Sequence, residues 1–232
     1  MISVIIPVLN EKKNISKISY NLKKIKIISE VIFVDDNSID KTFSEIQKII
    51  KNNKSKIIFK GIIRKSKKRD LSKSVLLGVT KASQKNILVM DCDLQHDAIY
   101  VSLMWKKYIQ KNFDIVVGSR FLTNKYIGNL GVLRSFISNL MINFINIFFE
   151  KKTTDPLSGF FLCKIELFKR YKKNFFATGY KILFDILYKS KKNLRVYDQK
   201  ISFKKRKYET SKFKVKIVLI FIRQLIFTKF NF

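Results

Sequence analysis

Residues 88–97 read LVMDCDLQHD: three apolar side chains run straight into Asp91, Asp93 and Asp97, with Gln95 and the only histidine, His96, among them. The apolar run has the length of a buried strand, predicted over Asn86–Met90. Like charges this close repel, and burying them unpaired is costly, so a cation or a cationic side chain has to offset them. The pattern occurs once more, where a strand predicted over Glu30–Val34 ends in Asp35-Asp36. In an open parallel sheet ligands bind outside the carboxyl ends of the strands. Two strands that end in acids therefore point to that architecture and to the edge of the sheet that carries the site.

Working outward, Ile2–Pro7 is a continuous apolar strand, and Asn10 and Glu11 open a helical pattern that runs to about Ile28. Ser38 or Asp40 is placed to cap a helix over Lys41–Ile50. Ile57–Ile63 reads as a third strand, Ser72–Ser83 as a helix and Ala98–Lys111 as the helix after the acidic motif. Asp114–Gly118 is a fifth strand, Arg134–Phe149 a long apolar helix, and Asp155-Pro156 with Gly159 a turn before a strand at Phe160. Lys181–Ser190 reads as a helix and Leu194–Phe203 as the last strand. This alternation predicts an α/β fold, a mostly parallel mixed sheet with helices on both faces. With 2 Pro and 7 Gly there is no evident linker, so a single catalytic domain is expected over residues 1–212, followed by a short segment, 213–232.

A chain of 232 residues with 47% hydrophobic content can bury a full core. The formal net charge of +31 favours anionic partners such as nucleotides or phospholipid surfaces. Nucleic acid is not expected: the basic residues are dispersed, no helix-turn-helix or RNA-binding signature occurs, and acids at strand ends repel phosphate unless metal-bound. RKSKKR (64–69) reads as a solvated loop or a basic patch facing a membrane. Cys92 and Cys163 are too few for a disulfide framework and lack metal-site spacing, which suits a cytoplasmic protein. The amino terminus, MISVIIPVLNE, lacks the basic region and cleavage pattern of a signal peptide. No apolar stretch reaches the ~18–20 residues that span a bilayer. VKIVLIFIRQLIFTKFNF (215–232), split by Arg223 and Gln224, suits a helix lying in the membrane interface; the alternative is a terminal helix packed on the core.

Two carboxylates at i and i+2 with an amide oxygen at i+4, here Asp91, Asp93 and Gln95, offer hard oxygen donors. They suit magnesium or manganese holding a diphosphate rather than an all-protein cage. His96 follows at a helix start and fits a supporting role.

VIIPVLNE (4–11), VIFVDDNSIDKT (31–42), LVMDCDLQHD (88–97), FDIVVGSRF (113–121), TDPLSGFF (154–161), GYKILFDIL (179–187) and KKRKYETSKF (204–213) together resemble family 2 glycosyltransferases of the dolichyl-phosphate or polyprenyl-phosphate mannose synthase type. The resemblance implies the GT-A fold and a nucleotide-sugar site lined by Pro7, Leu9 and Glu11, with Val34 and Asp36, or Asp35, at the base. It places Asp91, Cys92 and Asp93 along the donor, makes Asp93 the principal metal ligand, and sets Arg120, Arg206 and Lys212 on donor or acceptor phosphates. Asp155 then falls beside the acceptor and the transferred sugar.

The implied reaction is inverting transfer of a sugar, mannose from GDP-mannose, to a polyprenyl or dolichyl phosphate, with Asp93, Arg120 and Asp155 at the catalytic centre. A UDP-glucose or other UDP-sugar donor, or a cell-surface glycan acceptor, is the alternative. The expected setting is the cytoplasmic face of the membrane, reached by peripheral attachment or a separate membrane subunit. The chain departs from the family pattern at Leu9, where an aromatic residue is common, and at Glu209, which takes a glycine position. It departs again at Asp97-Ala98, in place of prolines, and at LSKSVLLG (71–78), in place of a glycine-rich stretch.

Overall fold

Alternation along the first strand explains the layering. In the computed structural model, which describes residues 1–66, 68–121, 141–179, 181–190, 193–202 and 215–230, β1 (Ile2–Val8) is buried throughout. Ile2, Val4, Ile6 and Val8 face one apolar layer and Ile5 faces the other, the period of two that a strand imposes. The first layer is formed by α1 (Lys12–Lys23), α2 (Thr42–Lys51) and α4 (Ile99–Lys111). The second is formed by α3 (Leu71–Lys81), α6 (Ile165–Tyr171) and α7 (Ile182–Lys189). Helix α5, described over 141–148, and α8 (Val215–Phe230) close a third, smaller cluster around Phe184 and Leu157.

With β2 (Ile28–Asp35), β3 (Ile58–Ile63), β4 (Asn86–Val89), β5 (Ile115–Ser119), β6 (Phe161–Lys164) and β7 (Val196–Lys200), the sheet has the order β3-β2-β1-β4-β6-β5-β7. All pairings are parallel except those of β6, which runs antiparallel to both β4 and β5. The mixed, mostly parallel sheet with helices on both faces matches the expectation. Pro7 sits in a central strand at no cost, because it falls past the last β1–β4 pair, Ile5 with Val89, where its missing N–H has no ladder partner to lose.

Several element ends shift by a few residues, β2 and β7 among them, and three further differences from the sequence reading have a physical reason. Helix α1 stops at Lys23 rather than near Ile28, because Ile25 turns back into the core and its N–H bonds Leu22 O, leaving Ile28 to start β2. Neither Ser38 nor Asp40 occupies the cap position of α2, which falls on Lys41 in a left-handed conformation. Helix α6 directly follows β6 and was hidden within an apolar run that reads equally as strand. Arg206, Lys212 and the start of the predicted helix at Arg134 lie outside the described residues.

At the edge of the sheet remote from the acids, Glu30 is buried at the start of β2. It accepts hydrogen bonds from Ser3 Oγ, Lys60 Nζ, Ser83 N and Ser83 Oγ, joining β1, β2, β3 and the α3–β4 turn. Burial raises its pKa, but these donors outweigh it and hold the carboxyl below its ordinary value. Its stabilisation is therefore complete above the ordinary glutamate range and is lost as pH falls through the lowered value. Glu30→Ala, which orphans several donors at once, is expected to lower the unfolding free energy on the order of 3 kcal/mol in urea titrations at neutral pH. The deficit should shrink in acid.

Candidate active site

The acids end β2 and β4 at one edge of the sheet, and short loops there are stitched to one another. Asn10 N donates to Ser38 Oγ, Ile39 N to Asn10 Oδ1, Glu11 N to Thr42 Oγ1 and Lys12 N to Asp40 Oδ2. Ser38 and Asp40 thus brace the Leu9–Glu11 turn against the β2–α2 loop, a use that a capping pattern in the sequence does not distinguish. Burial raises the pKa of Asp40, but bonds from Thr42 and Lys12 prevail and leave it lowered. Glu11 is buried at the start of α1, and its carboxylate accepts from Asn14 Nδ2 at 2.6 Å.

Asp35 and Asp36 are adjacent yet do different work. Both Ser38 bonds, from its N–H at 3.0 Å and its hydroxyl at 2.5 Å, reach Asp35 Oδ1. Burial, reinforced by the charges of Asp40 and Asp36, pushes the Asp35 carboxyl above its ordinary value. Asp36 is engaged on both oxygens, by Arg64 at Oδ1 and by the backbone N–H of Asp70 at Oδ2. Arg64 is thereby drawn out of the RKSKKR run and tied inward, where the sequence suggests a solvated or membrane-facing patch. The reason is charge: Asp36 is 4% exposed and needs a cation beside it. Pro7 and Val34 are paired across β1 and β2, and the side chain of Val34 is buried facing Gly78 of α3.

At the end of β4, Cys92 points into the apolar layer, whereas Asp93 and Gln95 are buried polar groups. Asp93 Oδ1 accepts from Gln95 N at 3.1 Å, and Leu94 between them has φ +60°, so the backbone turns sharply around the carboxylate. The Asp91 carboxylate lies against Gly159. A Cβ there would come within 2.9 Å of Asp91 Oδ2, so only glycine admits this approach. Gly159 belongs to the loop before β6, and the reversed direction of β6 is what delivers that loop to the acidic edge.

Arg120, one residue beyond β5, meets Asp155 in a two-pronged pair, Nε to Oδ2 at 2.7 Å and Nη2 to Oδ1 at 2.8 Å. Asp155 is fully buried. This fork-to-fork geometry fixes the guanidinium plane. Two residues not singled out in the sequence hold the pair: Thr153 Oγ1 accepts from Asp155 N, and Asp198 of β7 accepts from Thr153 Oγ1, Thr154 N and Thr154 Oγ1. Ser119 Oγ shares a 2.7 Å hydrogen bond with Thr154 Oγ1. An acid within β7 carries no motif of its own, and only the sheet order brings it here. His96 stacks on Phe160 with ring centroids 4.7 Å apart. Burial pushes its pKa down to about 4, the fields of Asp93 and Asp155 opposing and that of Arg120 assisting, so the imidazole is neutral at pH 7. Asp91, Asp93, Gln95, Arg120 and Asp155 are thus drawn to one edge, with Asp35 and Asp36 at the end of β2.

The model for glycosyl transferase family 2 matches residues 3–172. The chain belongs to that family. Its relatives include a dolichol-phosphate mannosyltransferase from Pyrococcus furiosus, 31% identical over 97% of this chain and 62% of its own length. Another is a dolichol-phosphate mannosyltransferase from Saccharomyces cerevisiae, 27% identical over 96% of this chain and 85% of its length. This chain therefore spans less than two thirds of the Pyrococcus protein. Among solved structures, glucosyl-3-phosphoglycerate synthase from Mycobacterium tuberculosis, in complex with Mn2+, UDP-glucose and phosphoglyceric acid, superimposes with a TM-score of 0.73 at 15% identity, covering 98% of this chain and 78% of that one. The fold is the GT-A type of family 2.

Under helix α8, Asp185 of α7 is fully buried and accepts from Ala177 N at 2.9 Å and Gln224 Nε2 at 2.8 Å. Burial raises its pKa to about 6 despite these bonds. The folded chain therefore holds this proton to higher pH than the unfolded chain, and its contribution to stability declines as pH rises from about 4 to 6. Asp185→Asn is expected to remove that decline. In paired melts the variant should gain on the parent between pH 4.5 and 7, on the order of 2 kcal/mol. A constant difference across that range would contradict the assignment.

Proposed function

We propose that the chain transfers a sugar, mannose from GDP-mannose, to a polyprenyl or dolichyl phosphate at a membrane surface, with inversion at the anomeric carbon. The observation that carries this reading is the convergence of the Asp91/Asp93 turn with the Arg120–Asp155 pair at the ligand edge of a family 2 fold. The names of the Pyrococcus and yeast relatives support the acceptor class.

The donor set suits a divalent cation. Asp91 and Asp93 supply two hard carboxylates, Gln95 is the amide beside them, and among the described residues no group of three or more His, Cys, Asp or Glu could form a metal site. A metal held here would take further ligands from the diphosphate, the habit of magnesium and its analogues. Bound magnesium or manganese would neutralise charge on the departing nucleoside diphosphate. Pro7, Leu9, Glu11, Val34 and Asp35 line the nucleoside side, with Asp36 behind them, and Cys92 serves through its backbone. Arg120, oriented by Asp155, offers a planar cation to phosphate, and Arg206 and Lys212 add charge from the segment after β7. The acceptor phosphate oxygen forms the new bond to the anomeric carbon as the bond to the β-phosphate breaks and its electron pair leaves with the diphosphate. A phosphate monoester is already largely dianionic at neutral pH, so no protein base is required.

Leu9 favours one second reading. Without an aromatic ring at that position, selection for guanine is weakened, and a UDP-sugar donor fits the same site. The test is transfer of labelled sugar from GDP-mannose and, separately, UDP-glucose to a polyprenyl phosphate in detergent with Mn2+ or Mg2+. Turnover with GDP-mannose alone supports the first reading, and with UDP-glucose alone the second. Transfer with neither would remove the lipid phosphate from the proposal.

Membrane attachment rests on segment 213–232. No helix among the described residues is long and apolar enough to cross a bilayer. Helix α8 instead buries Phe221, Gln224, Leu225 and Thr228 and exposes Leu219, Ile222, Ile226 and Phe230, while α5 beside it exposes Phe144, Ile147 and Phe148. Exposed apolar side chains on two neighbouring helices, with Arg223 and Lys229 among them, suit a surface that meets lipid, the net positive charge drawing it to anionic headgroups. Ile222→Asp with Ile226→Asp is expected to abolish sedimentation with anionic liposomes at moderate salt. Parent protein left in the supernatant would refute the attachment.

A further inference from the structure

Asp70 is a buried carboxylate at the amino terminus of α3. Its Oδ1 caps the helix by accepting Lys73 N at 3.1 Å. Capping does not require a carboxylate at this depth, since serine or threonine would serve with no charge to desolvate. The second oxygen explains the choice. Asp70 Oδ2 accepts Gly179 N at 3.0 Å, and Ser72 N donates to Gly179 O at 2.9 Å, so both backbone groups of a residue in the turn before α7 end on the first turn of α3. On its other side, Asp70 N donates to Asp36 Oδ2 at 2.5 Å.

Gly179 is itself held from above. Its φ of +98° requires glycine, and a Cβ there would lie 2.8 Å from Ile220 Cγ2 of α8. Gln224 of α8 binds the same turn through Lys181 O at 3.1 Å and reaches Asp185 Oδ1. A continuous run of contacts therefore leads from Asp36 at the end of β2, through Asp70, to Gly179 and α8.

We propose that Asp70 is a positioning residue that couples the nucleotide side of the site to the seating of α8 on Gly179 and Lys181, so that donor binding and α8 docking strengthen one another. The proposal rests on the reading that the end of β2 meets the nucleoside. Lifting α8 frees the turn and removes the partner of Asp70 Oδ2, and the shift passes through the backbone of residue 70 to Asp36. Because linkage is reciprocal, nucleotide that fixes Asp36 also tightens α8.

The test uses the full chain and two variants. Asp70→Ser keeps a cap for Lys73 N but is too short to reach Gly179. Asp70→Asn keeps the cap and sets an amide N–H₂ against the Gly179 N–H. Amide hydrogen exchange across α8 is measured with and without saturating GDP or UDP plus Mn2+, and nucleotide affinity by calorimetry. In the parent, nucleotide is expected to slow exchange in α8 about 5-fold. Both variants should lose that protection and bind nucleotide about 5-fold more weakly while the α3 amides stay protected. Nucleotide binding without any change in α8 of the parent, or protection retained in both variants, would overturn the coupling alone. Failure of the parent to bind either nucleotide would overturn the coupling together with the reading on which it rests.

Discussion

Asp93→Asn is expected to reduce sugar transfer about 10³-fold, some 4 kcal/mol of transition-state stabilisation, while leaving the fold intact. The two effects separate because of what each oxygen does. The bond from Gln95 N to Asp93 Oδ1 needs only an acceptor, which asparagine retains, so the turn through Leu94 persists. The negative charge is lost, and with it the attraction that would hold a divalent cation against a diphosphate. Two measurements check this: turnover of labelled donor, and the rise in melting temperature given by nucleoside diphosphate with Mn2+. The parent should show a metal-dependent rise that chelator removes, and the variant should show little with or without metal. Full activity in Asp93→Asn would place the metal elsewhere and undo the assignment of the acidic motif.

Asp155→Ala is expected to damage stability and activity together. Asp155 is fully buried and Arg120 nearly so, their side chains 0% and 11% exposed. Truncating the acid strands a buried guanidinium, which costs about 3–5 kcal/mol in comparable buried pairs. The same change frees the guanidinium plane, and a loss of at least about 10²-fold in turnover follows if that plane positions phosphate. Asp155→Asn separates the two effects: it keeps one acceptor for Nε and opposes Nη2 with an amide, so it should unfold less readily than the alanine variant yet stay slow. Arg120→Lys should not restore rate, since an ammonium cannot pair with both carboxylate oxygens in a plane. Denaturant titration and single-turnover transfer on the same preparations decide the matter. A stable, fully active Asp155→Ala would reduce the pair to a bystander.

Much of this site was legible because the sheet makes it so. Apolar runs ending in Asp35-Asp36 and in Asp91-Cys92-Asp93 mark the carboxyl edge of a parallel sheet without any coordinates, and the alternation of strands and helices along the chain predicts a helical layer on each face. What escaped lies in partners distant in sequence. Arg64 reads as one more cation in RKSKKR, and only the fold sets Asp36 beside it. Asp70 lies just before a predicted helix, and nothing local announces Gly179, 109 residues on. Asp198 lies in a strand whose own pattern is half-buried and unremarkable. Helix α6 was lost to periodicity, because apolar residues in and around Phe161–Lys164 and Ile165–Tyr171 fit either period over so short a span.

The backward strand has a consequence for how such a chain can change. The chain leaves the sheet at Ser119 and rejoins it at Phe161, and because β5 and β6 are antiparallel neighbours these two points stand at the same edge. The described ends of the intervening segment stay beside the acids, Arg120 by its pair with Asp155 and Gly159 against Asp91, while the strand pairs among β1, β2, β3 and β4 involve none of it. Away from those ends, its length and content can drift without moving a strand pair. Under the proposed function, the half of the sheet that holds the nucleotide can stay constant while this segment adapts to a different acceptor.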